Sequence, residues 1–148
     1  MATYLLIIEA RQPAVVQVGA VGWVSLPPGY YLYVGSARRG LKARIVRHYR
    51  RSKKCRWHLD YLLCRPEFQI LEVWVSDSLP ECDLARTMLA QPETSVPRPG
   101  LGASDCRCPA HFLDYKGELG HLHRGLLDLG LYHLSYYSGH KINELGLA

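Results

Sequence analysis

Two groups of residues in this sequence have the types and spacing to do chemistry. In the first, Arg38, Arg39, Lys42, Arg44, Arg47, His48 and Arg51 crowd the end of one stretch, GYYLYVGSARRGLKARIVRHYRR, from Gly29 to Arg51. Between Arg38 and Arg56 the chain carries ten lysines or arginines and no acid. Cations concentrated in this way match the charge of phosphate, and a rigid element that presents them avoids most of the entropy cost of ordering long side chains. The second group is Cys82, Cys106, Cys108 and His111, the last three of them inside SDCRCPAH. Three sulfurs and an imidazole suit tetrahedral zinc. The C-x-C step is tighter than the usual zinc spacer, however, and Cys82 must be brought in by the fold, so buried reduced thiols are preferred and zinc is the other reading. Ser104 and Asp105, in the same segment, could line the rim of a site.

The cations need a strand that hands over to a helix. Up to Val34 the residues are aromatic or branched, which favours extended chain. After Gly40 the apolar Leu41, Ile45, Val46 and Tyr49 recur at helical spacing, so the helix sets Arg44, Arg47, His48 and Arg51 along one side. Gly35 and Gly40 punctuate the switch. Earlier in the chain, Tyr4 to Glu9 reads as a buried strand and Ala14 to Val18 as a second one, joined into a hairpin by the turn at Arg11, Gln12 and Pro13. A short extended piece follows around Val21 to Leu26, then the strand at Tyr30 to Val34. Strands with no helix between them point to antiparallel pairing.

Later, Trp57 to Leu63 makes one or two helical turns, and Ile70 to Val75 is another strand. A helix opens at Ser78 or Pro80, with Glu81 and Asp83 in its first turn where the helix dipole favours acids, and stops near Gln91 and Pro92. Residues 92–110 form a loop, Phe112 to Tyr115 a last strand, and Leu122 to Leu129 a helix ended by Gly130. The tail, 131–148, has no clear period and is expected to be loosely ordered. The prediction is one α+β domain over residues 1–148, with a small, mainly antiparallel central sheet flanked by helices.

Composition sets the bounds. The 148 residues are 48% hydrophobic, enough for one core without disulfides. Eighteen basic against thirteen acidic residues give a net charge of +5, which points to a polyanion such as nucleic acid, with an anionic membrane surface as the alternative. The apolar runs are of strand length and Met1 to Glu9 lacks signal-peptide features, so no membrane span and a cytoplasmic location are expected. Five cysteines, an odd number, fit reduced thiols. No heptad or apolar stripe marks an oligomer interface.

The triplet YVG at Tyr33 to Gly35, followed by Ser36, by Arg44 on the next helix and by His48 one turn later, resembles the second half of the GIY-YIG nuclease signature. Its first half corresponds to Ala2 to Tyr4, with Ala2 and Thr3 standing for the glycine and the aliphatic residue. GYYLYVGSA, RIVRH, WHLDYLL, ECDLA and SDCRCPAH together resemble the uncharacterised small-protein branch of that superfamily, the domain-of-unknown-function group numbered one hundred and twenty-three, over nearly the whole chain. The resemblance implies an endonuclease that hydrolyses DNA phosphodiesters with one Mg2+ or Mn2+ ion, RNA remaining open. By similarity, Tyr4 and Tyr33 would manage the attacking water, one as general base, Arg44 would stabilise the phosphoryl charge, and His48 would assist. Glu81 would hold the metal, with Asp60 in reserve. No residue matches the asparagine that often closes such sites; Asn143, the only asparagine in the sequence, sits in the tail.

Taken singly, each residue has a structural role open to it. The tyrosines could pack in the sheet, Arg44 and His48 could cover a helix face, Glu81 could be a dipole-favoured acid, and Asp60 could pair with an arginine. The joint order favours the nuclease. Two other readings are a catalytically inactive nucleic-acid-binding protein on the same scaffold and a small zinc-stabilised interaction domain.

Overall fold

The computed structural model describes residues 1–134 and the backbone of residues 136–137 and 140–141. Its centre is strand β1 (Ala2–Ala10), paired antiparallel along its length with β4 (Gly29–Ala37) on one side and β5 (Phe68–Ser76) on the other. Three short strands complete the sheet: β6 (Thr94–Ser95), β7 (Phe112–Tyr115) and β8 (Tyr132–His133). The order is β6-β7-β4-β1-β5-β8, and every pair is antiparallel. The expected α+β class with a mainly antiparallel central sheet is the observed one.

Both faces of this sheet are covered, which explains why YLLIIE is apolar without alternation. Tyr4, Leu6 and Ile8 face one core, shared with α1 (Leu41–Tyr49), α2 (His58–Leu63) and a separate hairpin, while Leu5 and Ile7 face a second core under α3 (Glu81–Leu89) and α4 (Leu119–Asp128). A strand buried on both sides has no wet face to write into its sequence.

The expected hairpin of β1 with Ala14–Val18 does not form. Both edges of β1 are taken by β4 and β5, so β2 (Ala14–Val18) pairs with β3 (Gly22–Leu26) instead, from Ala14 opposite Leu26 to Val18 opposite Gly22. Nor does Gly35 end its strand, since β4 runs on to Ala37. Phe112–Tyr115 is not the last strand, because β8 follows it on the β5 edge. Two-residue strands such as β6 and β8 carry no readable period. Of the tail expected to be loose, 131–148, Leu131 is buried and Tyr132–His133 pair with β5; from residue 135 on, Asn143 included, it lies outside the described residues except for two paired backbone segments, Tyr136–Tyr137 and His140–Lys141. Among the described residues no helix is long and apolar enough to cross a membrane.

Candidate functional site

The antiparallel register of β1 and β4 decides where the site lies. Leu6 stands opposite Tyr33 and Tyr4 opposite Gly35, so the two tyrosines are diagonal neighbours on one face, with ring centroids 6.3 Å apart. Gly35 is required there for space, not for a turn. A Cβ on it would stand 2.6 Å from Tyr4 Oη and 2.9 Å from the Tyr33 ring.

Helix α1 then lays His48 against both rings. Tyr4 Oη and His48 Nε2 are 2.6 Å apart, with both residues buried. Burial, then the nearby Lys53 cation, pull the His48 pKa down to about 3, so the imidazole is neutral near pH 7. A neutral Nε2 that accepts from the tyrosine hydroxyl leaves the proton on Nδ1, and that buried nitrogen has no hydrogen-bond partner. Burial, then Tyr33, push the Tyr4 hydroxyl well above its ordinary range, against the pull of Arg44. Burial and Glu81 push Tyr33 up likewise.

Strand β4, the first turns of α1, α2 and α3 and the loop over 102–106 meet over these rings to form a cleft of about 420 Å³. Tyr33, Ser36, Arg44, Trp57 and Glu81 are among its walls, and Ser104 and Asp105 line it too. Tyr4 is not in the wall; it lies beneath, fully buried. The Arg44 guanidinium donates to Ser36 O at 3.2 Å and sits 4.4 Å over the Trp57 ring. Ser36 Oγ donates to Glu81 Oε1 at 2.6 Å, and the other oxygen, Oε2, is 2.8 Å from His111 Nδ1. This second contact is off the N–H axis, a close charge pairing rather than an aligned hydrogen bond. Burial would raise the Glu81 pKa, but His111, Ser36 and Arg44 outweigh it and hold the carboxyl below its usual range, hence ionised. The Ser36 and His111 contacts to Glu81 are not legible in the sequence; only Ser36's place just after YVG points to the first. His58, whose Nδ1 accepts from Gly102 N–H at 2.9 Å, fixes the floor of the loop wall.

The basic residues divide by location. Arg38 and Arg39 are exposed and, with Arg44, line a shallower groove that continues from Ser36. Lys42 is exposed on the first turn of α1. Arg47 instead turns back onto Asp60, with guanidinium nitrogens 2.7 and 2.8 Å from its two oxygens, and Arg51 donates to the carbonyls of Leu63, Arg65 and Phe68. Asp60, fully buried, also accepts from the backbone N–H of Arg56 and Trp57. It pairs with an arginine, as its structural reading had it, and is remote from Glu81's side of the cleft in its bonding.

The second chemical group comes together at the other wall. Cys82 follows Glu81 on α3, Cys106 and Cys108 come from the loop, and His111 precedes β7. Their ligand atoms all lie within 4.8 Å of one another, with His111 Nε2 3.4 Å from Cys106 Sγ and 3.8 Å from Cys82 Sγ. The thiols are free, as expected, with Cys108 buried and Cys82 and Cys106 half-buried, and their geometry is also that of a cluster able to hold a metal ion. Sulfur and imidazole donors favour zinc over magnesium.

The family model of the domain of unknown function DUF123 matches residues 3–125, a span that holds every residue of the cleft and of the cluster. The chain belongs to that family. No curated protein and no solved structure matches the chain.

Proposed function

We propose that this protein is a divalent-metal-dependent endonuclease of the GIY-YIG type, hydrolysing phosphodiester bonds in DNA. The observation that carries the reading is the convergence of Tyr33, Ser36, Arg44 and Glu81 on one cleft that opens onto the exposed Arg38 and Arg39. A phosphate backbone laid along Arg38, Arg39 and Lys42 would bring one phosphodiester to Arg44. A guanidinium has five N–H donors, so the contact with Ser36 O leaves others for phosphoryl oxygens as charge grows in the transition state.

Glu81 fits a hard cation. Its carboxyl is ionised, its side chain is 31% exposed, and each oxygen serves one protein partner and keeps a lone pair. One carboxylate completed by waters and phosphate oxygens is the coordination Mg2+ accepts, and Mn2+ can replace it. When bound, the ion would supply Lewis-acid stabilisation and make the attacking water more acidic. Tyr33, the tyrosine in the wall, orients that water. Tyr4 and His48 stand behind it as a hydrogen-bonded pair, Tyr4 Oη donating to the neutral His48 Nε2, which holds the Tyr4 ring in place beneath Tyr33. A zinc ion held by the four-donor cluster would take no direct part in the hydrolysis. A reducing cytoplasm keeps those thiols available.

One observation favours a second reading, an inactive nucleic-acid-binding protein: both tyrosines resist ionisation. The test is cleavage of labelled branched, single-stranded and duplex DNA, and of RNA, with Mg2+ or Mn2+. Arg44→Ala and Glu81→Ala should each slow cleavage by roughly 10²-fold or more. Salt-sensitive binding without cleavage selects the binding protein, and neither binding nor cleavage sinks both readings.

A further inference from the structure

We propose that Cys82, Cys106, Cys108 and His111 form a closed zinc site whose ion, through the His111 ring, sets the position of Glu81. The cleft is thereby completed only when zinc is bound. The coupling to hydrolysis rests on the endonuclease reading; the zinc site and its hold on Glu81 do not.

Around tetrahedral zinc, with Zn–S of about 2.3 Å and Zn–N of about 2.0–2.1 Å, ligand atoms stand about 3.5–3.8 Å apart. The separations of His111 Nε2 from Cys106 and Cys82, 3.4 and 3.8 Å, match that spacing, and the widest in the set is within 4.8 Å. Four protein donors close the coordination shell. A site with no open position has a structural or positioning role and performs no hydrolysis itself.

Position is what this site can pass on. His111 is fully buried and uses both ring nitrogens, Nε2 toward the sulfurs and Nδ1 toward Glu81 Oε2 at 2.8 Å. A metal-bound histidine whose other nitrogen faces a carboxylate is fixed in tautomer and ring plane, and here the carboxylate fixed in turn is the one that faces the cleft. Glu81 and Cys82 are also consecutive on the first turn of α3, so an ion that holds Cys82 holds the backbone that carries Glu81. The cluster is part of the cleft wall as well: Cys82 and Cys106 both line it. Zinc would tie the loop carrying Ser104 and Asp105 to α3 across that wall.

The experiment uses the full chain. Elemental analysis should find one zinc per chain, and replacement by Co2+ should give the intense visible bands of tetrahedral thiolate cobalt; no stoichiometric metal and no such bands would overturn the site. Mn2+ affinity is then measured by electron paramagnetic resonance on the zinc-loaded protein, on protein stripped by a chelator and reloaded, and on Cys106→Ser. Loss of zinc should weaken Mn2+ binding about 10–100-fold, with recovery on reloading. Circular dichroism distinguishes this from unfolding, and the stripped wild-type chain serves where the variant does not fold. Zinc binding with unchanged Mn2+ affinity would overturn the coupling. A zinc-linked Mn2+ site without nucleic-acid cleavage would leave this inference standing and refute the endonuclease.

Discussion

Replacing Asp60 with alanine should destabilise the protein more than any change to the cleft itself. Asp60 is fully buried, is gripped by the forked guanidinium of Arg47 at 2.7 and 2.8 Å, and caps α2 by accepting from the N–H groups of Arg56 and Trp57 at 2.8 and 3.0 Å. Lys53 Nζ adds charge at 3.8 Å. Alanine would leave a largely buried guanidinium without its partner and two backbone donors without an acceptor. Breaking a buried pair from one side costs about 3–5 kcal/mol, a range that already overlaps the loss of the cap because the two share one carboxylate. At roughly 3 °C per kcal/mol for a domain of this size, Tm should fall by about 9–15 °C.

The loss should depend on pH. Burial pushes the Asp60 carboxyl up, but Arg47, Trp57 and Arg56 outweigh it and hold its pKa below the usual carboxylate range. A depressed folded pKa contributes stability above the unfolded value, which is lost as pH falls through the folded one. The gap between wild type and Asp60→Asn should therefore be full at pH 7 and shrink once pH drops below about 4, the unfolded carboxylate pKa. Thermal and denaturant unfolding across that range measures it. A cost below about 1 kcal/mol at pH 7, or a gap that widens in acid, would show that this carboxylate does not pin α1 to α2. The double change Asp60→Leu with Arg47→Met should recover part of the loss, because it removes the unpaired guanidinium while Lys53 stays without its counter-ion and the two backbone donors without their acceptor.

Two further outcomes follow from the packing. Gly35→Ala forces a methyl to within 2.6 Å of Tyr4 Oη, so it should cost about 1–3 kcal/mol and displace Tyr4 from His48 Nε2, seen as a shift in the His48 imidazole resonances by NMR; unchanged resonances and stability would show that the rings move aside freely. Arg39→Ala should lower the salt dependence of DNA binding by about one phosphate contact with stability unchanged, whereas Arg51→Ala should lower stability and leave the salt slope alone; the reverse pattern would place the nucleic acid on the other side of α1.

The parts of this protein that rest on local period are legible in the chain alone. The strand at YLLIIE, the change of period near Gly40, the acid-rich start of the helix at Glu81 and the stop at Gly130 all appear within a residue or a few of where the pattern put them. These signals are legible because propensity and burial of one face act over a single element. Pairings between distant segments are set only by packing. β2 pairs with β3 because β4 and β5 had already occupied both edges of β1. Gly35 looked like a strand end, and only the register shows it as the space two tyrosine rings need. Seven basic residues looked like one footprint; Arg47 and Arg51 turn to Asp60 and to carbonyls 12 to 17 residues away, while Arg38 and Arg39 face outward. The C-x-C spacing argued against zinc until Cys82 arrived from α3, 29 residues before His111, to complete the donor set. A side chain's type is written in the sequence. Its partner across the sheet or cleft depends on contacts between segments far apart in the chain, and such contacts exist only once those segments have packed.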